Sequence, residues 1–589
     1  MLRQLVELHA RLRSEGKALP TMYEVRRVDV EIELTPDGKM IGSPHFFTDD
    51  KEAKAGRFAI PARARSGTGE NPFLVVDTGE YVFGFSRGGK SERKHNAYLN
   101  LLDGLLERYD DARVRAVRRF AGNGAAALRD VSWPQGLEPA KAWFVFRVDD
   151  AYVHELDCVK RFWAESMREA FTGPERICLV CGEKKEVIAR GAPVRVKRVS
   201  SDGQASGAAL ITADKEAFES YGQEQSLVAA NCFECSTASA EALNWLITAD
   251  EALDHRLWTG QNTIVFWLRD GGGFDPLKNI ASPQPQQVRR LITAAHRGQG
   301  DSASGVSQSE FYLTTLTNNA ARLVVQDWIE TSISEIERQL GRWFDDLGLE
   351  PDWPDREQIW PRLGTLVEAI NPPGSSGAQA KRDEAALLRA VFRGARPDPG
   401  MVARALERQR AEIFAKNDHN QRSRRHARAA LLKLFLRRDL HPAAMPTENL
   451  NPENPSVAYQ CGRMLAVIEG IQRAGMGGQA PGASVIDRYY GAASTTPSSV
   501  LGVLIRESQS HLAKLRRERT GLGRYFEKQL EEISGRIEEI PATLSLREQA
   551  EFALGYYQQR AYRQTSDDEA PGNAGSASDQ TPTEEESPA

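Results

Sequence analysis

Two Cys-x-x-Cys pairs, Cys178/Cys181 and Cys232/Cys235, hold four of the six cysteines in this 589-residue chain. The spacing turns both sulfurs of a pair to one side, and four thiolates are a set that Zn2+ binds tetrahedrally in structural sites. Structural zinc is therefore the first expectation. A redox dithiol is the second reading. It requires a pair that opens a helix within a βαβ setting, and the flanking sequence gives neither pair that setting. Four small packing residues are the third, favoured by the long gap between the pairs.

A second motif, GFSRGGKS (84–91), matches the phosphate-cradling pattern GxxxxGK[ST]. It follows strand-like YVF and precedes a helix, and FVFRVDD (144–150) can offer Asp149 to magnesium. A P-loop NTPase is thus the enzyme alternative. Phe85, Ser86 and Arg87 are bulky for a backbone nest, and the region lacks the repeated βα units of such domains. A Gly-rich turn with Arg87 and Lys90 at the surface is the preferred reading. The ten histidines form no HExxH. No catalytic constellation emerges.

The third feature is charge. The net charge is −5, yet seven carboxylates and no cation lie beyond Arg563, so the rest carries +2. Residues 564–589 read as a disordered acidic tail. Between Met401 and Leu440 eleven Lys or Arg face four Asp or Glu. Arg422, Arg424, Arg425 and Arg428, with His419 and His426, can present this excess to a phosphate backbone or simply to water. After Pro497, at about 100° per residue, Leu501, Leu504, Leu512 and Leu515 form one stripe. Arg506, Lys514 and Arg517 fall opposite, and Arg519, Arg524 and Lys528 continue the basic surface.

The elements around these residues predict an α+β fold: a mixed N-terminal α/β part followed by an all-helical bundle. The length alone allows about three or four domains. YEVRRVDVEIEL (23–34), GEYVFGF, AKAWFVFRVDD and NTIVFWLRD read as strands, SERKHNAYLNLLDGLLERY and ARLVVQDWIETSISEIERQLGRWF as helices. The expected domains are 1–170, 171–370 with the cysteines, a basic connector 371–444 opening on the linker NPPGSSGAQAK, and a bundle 445–563. No apolar run approaches the roughly 18 residues of a spanning helix. The charged amphipathic N-terminus lacks a signal-peptide core. Few cysteines suit a reducing compartment, so a cytoplasmic protein is expected.

Several segments resemble one family in order and spacing. They are ICLVCGE (177–183), SGAALITADKEAFESYGQEQS (206–226), NTIVFW, FYLTTLTNNAARLVVQDW (311–328), NPENPSVAYQCGRMLAVIEGIQ (451–472), SVIDRYYGAASTTPSSVL (484–501), HLAKL and EQAEFALGYYQQR (548–560). The chain is similar to the large subunit of the type I-C CRISPR surveillance complex, Cascade, as far as about Arg563. The resemblance implies a binding protein, not an enzyme. Its implied partners are the crRNA and its 5′ handle, target double-stranded DNA, the Cascade backbone and crRNA-processing subunits, and a separate helicase-nuclease. It implies reading of a protospacer-adjacent motif (PAM) and help in R-loop formation, while base pairing reads the remaining sequence. It makes Gly84–Ser91 a turn. For PAM and DNA contact it directs attention to Lys51, Lys54, Arg57, Arg63, Arg65, Asn71, Arg87 and Lys90, where Asn and Arg suit base edges and Lys suits phosphates. In this family the helical end can also be made separately as a small subunit; here that would be the 145 residues from Met445.

Overall fold

The computed structural model describes Met1–Glu569 apart from 48–55, 66–68, 86–88, 250–254, 259–261, 271–277, 279–280, 292–309, 354–358, 373–376, 414–418, 440–444, 478–483 and positions 202, 205, 214, 285 and 320. It divides into two compact units: 1–274 with 309–330, and 275–308 with 331–589. The division falls at Glu330, inside the expected 171–370 domain.

The N-terminal part of the first unit, up to α5, holds two sheets. Helix α1 (Leu2–Ser14) buries Leu5, Leu8 and Leu12. The alternation of 23–34 predicts one strand, but the chain breaks at Val28–Asp29. Strand β1 (Tyr23–Arg27) pairs antiparallel with β4 (Arg57–Pro61), while β2 (Val30–Leu34) joins the other sheet. The break is fixed by Val28 N–H donating to Gly56 O and by Asp29 accepting from Trp143 N–H at 2.8 Å. The order of the second sheet is β3 (His45–Phe46), β2, β6 (Trp143–Val148), β5 (Asp77–Thr78), with β7 (Ala151–Tyr152) on β6. Strands β2 and β6 run parallel.

GEYVFGF is not a strand. Residues 79–82 form the short helix α2 (Gly79–Val82), and Phe83 N–H donates to Gly79 O. Tyr81, Val82 and Phe83 are all buried, and a short run apolar on every side has no period to separate helix from strand. Helices α3 (Gly89–Arg108), α4 (Ala112–Gly122) and α5 (Asp157–Phe171) send Tyr98, Leu102, Val117, Phe120 and Trp163 into the core around Phe144 and Phe146.

Further along, β8 (Glu175–Ile177) and β9 (Lys184–Glu186) form a hairpin. A six-stranded sheet follows in the order β10 (Arg195–Val196), β11 (Ala208–Ala209), β15 (Arg322–Ser332), β14 (Glu310–Asn319), β13 (Thr263–Leu268), β12 (Arg256–Trp258). Helix α6 (Phe233–Thr248) packs on it with α1, through Leu243, Leu246, Val265, Trp267 and Tyr312. The helix expected from Ala321 onward begins only at α7 (Ile333–Leu347). The preceding LVVQDWIETS is rich in β-branched and aromatic residues that suit a sheet, and Ser332 caps α7 by accepting from Glu335 N–H.

The second unit is mainly helical. It contains α7, α8 (Leu363–Ile370), α9 (Ala378–Arg393), α10 (Pro399–Glu412), α11 (His419–Arg437), α12 (Val457–Gly475), α13 (Val485–Ala493), α14 (Leu501–Glu518), α15 (Thr520–Ser534) and α16 (Leu546–Glu569). The linker 371–381 is shorter than its composition predicts: Asn371 is buried and bonded to Asp383, and α9 has begun by Ala378. Helix α16 likewise runs six residues into the expected acidic tail, where no Gly or Pro falls between Arg563 and Pro571. Helix α12 is buried on every side. Gly462 faces the Phe552 carbonyl and Gly555 faces the Tyr459 carbonyl so closely that a Cβ on either would land on the opposing backbone. Helices α12 and α16 therefore meet backbone to backbone. Leu501, Leu504, Leu512 and Leu515 line the core as the periodicity predicts. Among the described residues no helix is long and apolar enough to cross a membrane.

Candidate metal centre and nucleic-acid interface

Cys178 and Cys181 lie in the turn between β8 and β9. Gly182, at φ +77°, lets that turn close, with Gly182 N–H on Cys178 O and Cys178 N–H on Glu183 O, both 2.9 Å. The hairpin is docked on the second pair by Leu179 N–H to Ala230 O, Ile188 N–H to Asn231 O and a bridge between Val187 and Cys232. Cys232 caps α6, and Cys235 sits in its first turn. The second pair thus opens a helix.

The helix does not isolate that pair as a dithiol, because all four sulfurs converge within 4.8 Å of one another. Tetrahedral Zn–S bonds of about 2.3 Å place sulfurs about 3.8 Å apart, so small shifts would form the site. No disulfide competes, and Cys178, Cys232 and Cys235 are buried while Cys181 is exposed. Backbone amides already point at sulfur: Cys232 N–H to Cys178 Sγ at 3.4 Å and Cys235 N–H to Cys232 Sγ at 3.5 Å. The Cys235 thiol and amide hold Cys232 down to about 6, while that hydrogen bond raises Cys235. The positive end of α6 and the nearby Lys185 favour thiolate in the group. The donor set and its geometry fit a four-thiolate metal ion.

The expected DNA-contacting residues separate into groups. Lys51, Lys54 and Arg87 lie outside the described residues. Arg57 on β4 and Lys90 at the start of α3 are exposed, and Arg63 and Asn71 are half-buried. Arg65 is turned inward. Its Nη2 donates to the buried Asp77 at 2.5 Å and its Nε to Asn71 O at 3.1 Å, with its guanidinium 4.4 Å over Phe73 and 4.1 Å over Tyr81. The phosphate motif follows a helix rather than a strand, and Asp149 falls in the β6–β7 turn at φ +49°.

The basic stretch 401–440 turns several of its cations to internal partners. These described cations are met by acids, most of them from other segments. Arg425 pairs with Asp352 at 2.9 Å, Arg428 with Glu412 at 2.6 Å, and Arg437 and Arg438 with Asp345 and Asp346. Arg428 is 2 % exposed, and burial pushes it down to about 9. His426 is buried too, with Nδ1 2.7 Å from Tyr557 Oη and Nε2 2.8 Å from Ile359 O. Arg422 and Arg424 are half-buried. Arg425, Arg428, Arg437 and Arg438 are struts of the fold. On α14 and α15 the expectation fits the burial: Arg506, Lys514, Arg517, Arg519, Arg524 and Lys528 are exposed. Lys514 also donates to Gly475 O at 2.9 Å.

The fold and site define a large two-unit α+β chain, stapled by four converging thiols in one unit and faced with cations on the helices of the other. The family model for the CRISPR-associated protein Csd1 matches residues 5–563, and the chain belongs to that family. Csd1 is the type I-C large subunit, which makes this chain a CRISPR Cascade component. The match ends at Arg563, where the resemblance drawn from the sequence also ends. No curated protein matches the chain.

Proposed function

We propose that the chain recognises the PAM in target double-stranded DNA, contacts the crRNA 5′ handle, promotes R-loop formation and supports recruitment of a helicase-nuclease, with no catalysis of its own. Its partners in this reading are the crRNA, the Cascade backbone and crRNA-processing subunits, and a small subunit formed from its own C-terminal part, all in the cytoplasm. The observation that carries the reading is the sorting of cations. Arg425, Arg428, Arg437 and Arg438 are spent inside the fold, whereas Arg506, Arg517, Arg524 and Lys528 of α14 and α15 are exposed over an apolar stripe. A surface of that kind follows a phosphate backbone without reading bases.

Two measurements test it. Asn71→Ala is expected to weaken gel-shift binding of a PAM-bearing duplex while assembly on guide RNA stays intact; unchanged binding refutes the assignment. Arg506→Glu with Arg517→Glu is expected to weaken target binding at all sequences alike. The slope of log K against log salt should fall by about 1.4, at roughly 0.7 per single-strand phosphate contact. A defect confined to PAM-bearing DNA refutes the backbone role.

We also propose that the four cysteines hold Zn2+. Four protein ligands leave no open position, so the ion's chemistry would be structural. Cys178 and Cys181 would tie the hairpin turn to the start of α6 through Cys232 and Cys235.

A further inference from the structure

Val75 is fully buried at φ +66°. That conformation is an outlier for a β-branched side chain. Val76 N–H donates to Leu74 O at 2.7 Å, closing a three-residue turn of the rare positive-φ kind. Such strain persists only where the surroundings over-determine it, and it gathers at functional loops.

The surroundings here do so. Tyr98 Oη donates to Val75 O at 2.8 Å. Asp77, 0 % exposed, accepts from Phe73 N–H and Thr78 N–H, both at 2.7 Å, and from Arg65. Arg65 lies between Phe73 and Tyr81 and donates onward to Asn71 O. Tyr81 Oη donates to Gly69 O at 2.9 Å, and Lys94, bonded to Glu80, sits 5.3 Å from the Tyr81 ring. A buried carboxylate is costly to desolvate and adds little net stability, so its best-attested use is to specify one conformation. Gly69, Asn71 and Phe73, alternate residues of one loop, are each tied through main-chain atoms. The Asn71 side-chain amide makes no hydrogen bond among the described residues.

We infer that Asp77 and Arg65 form a positioning clamp that holds the Gly69–Phe73 loop in a single shape for contact with duplex DNA. The inference rests on the PAM reading above and gives Arg65 a different role within it, because Arg65 acts through the loop and not on a base. A base edge is read only within hydrogen-bond geometry. A loop that had to order on contact would subtract that ordering from affinity.

The test uses the full chain assembled with guide RNA and backbone subunits, on one duplex with a PAM and one without. Arg65→Lys keeps the charge but loses the flat fork, and Asp77→Asn keeps the shape but loses the charge. Each is expected to lower affinity for the PAM duplex about tenfold, within the worth of one good base contact. Each should leave the other duplex and RNA assembly unchanged and hasten amide exchange at Phe73 and Thr78. Combining Arg65→Lys with Asn71→Ala should add little to Asn71→Ala alone. Unchanged PAM affinity, or equal loss on both duplexes, overturns the clamp; if Asp77→Asn does not fold, Arg65→Lys decides. Asn71→Ala separates the two ideas. If it removes PAM preference and Arg65→Lys does not, the clamp falls and the Asn71 reading stands. If Arg65→Lys removes it and Asn71→Ala does not, another loop residue makes the contact and the clamp stands. If neither removes it, both fall.

Discussion

Cys235→Ser is expected to strip the purified chain of one equivalent of zinc and to open the β8–β9 hairpin to protease between about residues 175 and 190. The hairpin has almost no core of its own. Glu175, Ile177, Lys184 and Glu186 are exposed, and Leu179 is 70 % exposed. The apolar group beneath it is Cys178, Cys232 and Cys235, with Val6 and Val180 against them. Without the ion, three buried thiols and three bridging backbone bonds remain to hold it. Structural zinc is worth about 10–16 kcal/mol in small fingers, so loss of one ligand removes most of what keeps this segment attached. The rest of the unit should stay folded, because α6 packs on α1 and the six-stranded sheet through Leu243 and Leu246. Elemental analysis reads the first effect and limited proteolysis the second. Wild-type protein that is zinc-free with an uncut hairpin would return the cysteines to the role of packing residues.

Arg463→Met is expected to destabilise the helical unit by about 3–5 kcal/mol, the usual cost of breaking a buried ionic network from one side. The Arg463 side chain is 1 % exposed. Its fork donates to Gln559 at 2.9 Å, Gln460 at 2.9 Å, Pro452 O at 3.2 Å and Glu532 at 3.1 Å. Methionine fills much of the volume and satisfies none of these acceptors. Glu532, partly exposed, can turn to water. Gln460 and Gln559 cannot, and each buried orphan costs about 1–3 kcal/mol. Arg463→Lys should recover little, since one ammonium does not reach the spread of acceptors that a planar fork does. Urea unfolding followed on this unit measures the loss; a change under about 1 kcal/mol would mean that the network is dispensable.

What the sequence shows and what it conceals follow from range. The stripe Leu501, Leu504, Leu512 and Leu515 was legible because a helix writes its own period into neighbouring positions. The four cysteines were legible by type and spacing, though not their convergence, which depends on a hairpin turn meeting the first turn of α6. The basic stretch misled because a count along the chain does not register acids folded in from Asp345, Asp346 and Asp352. The partner of Arg65 was concealed in the same way, since Asp77 is twelve residues away and buried. Arg463 carries no local signature of its contacts with Gln559 and Glu532. The run LVVQDWIETS shows the opposite failure, where a helical pattern was continued backward through residues whose shape belongs in a sheet.

The cover over α16 has a consequence for any shorter product of this gene. In the whole chain Leu349, Leu432, Phe435 and Leu436 close over Ala550, Leu554 and Tyr557, and Asp352 gives Arg560 one of its two acids. Met445 stands outside α12, 54 % exposed, and translation from it would keep α12 to α16 and discard every one of those covering residues. The resulting protein would carry a bare greasy flank with half of a severed charge pair at its edge, and would stay monomeric in water only as long as nothing offered to replace the missing roof.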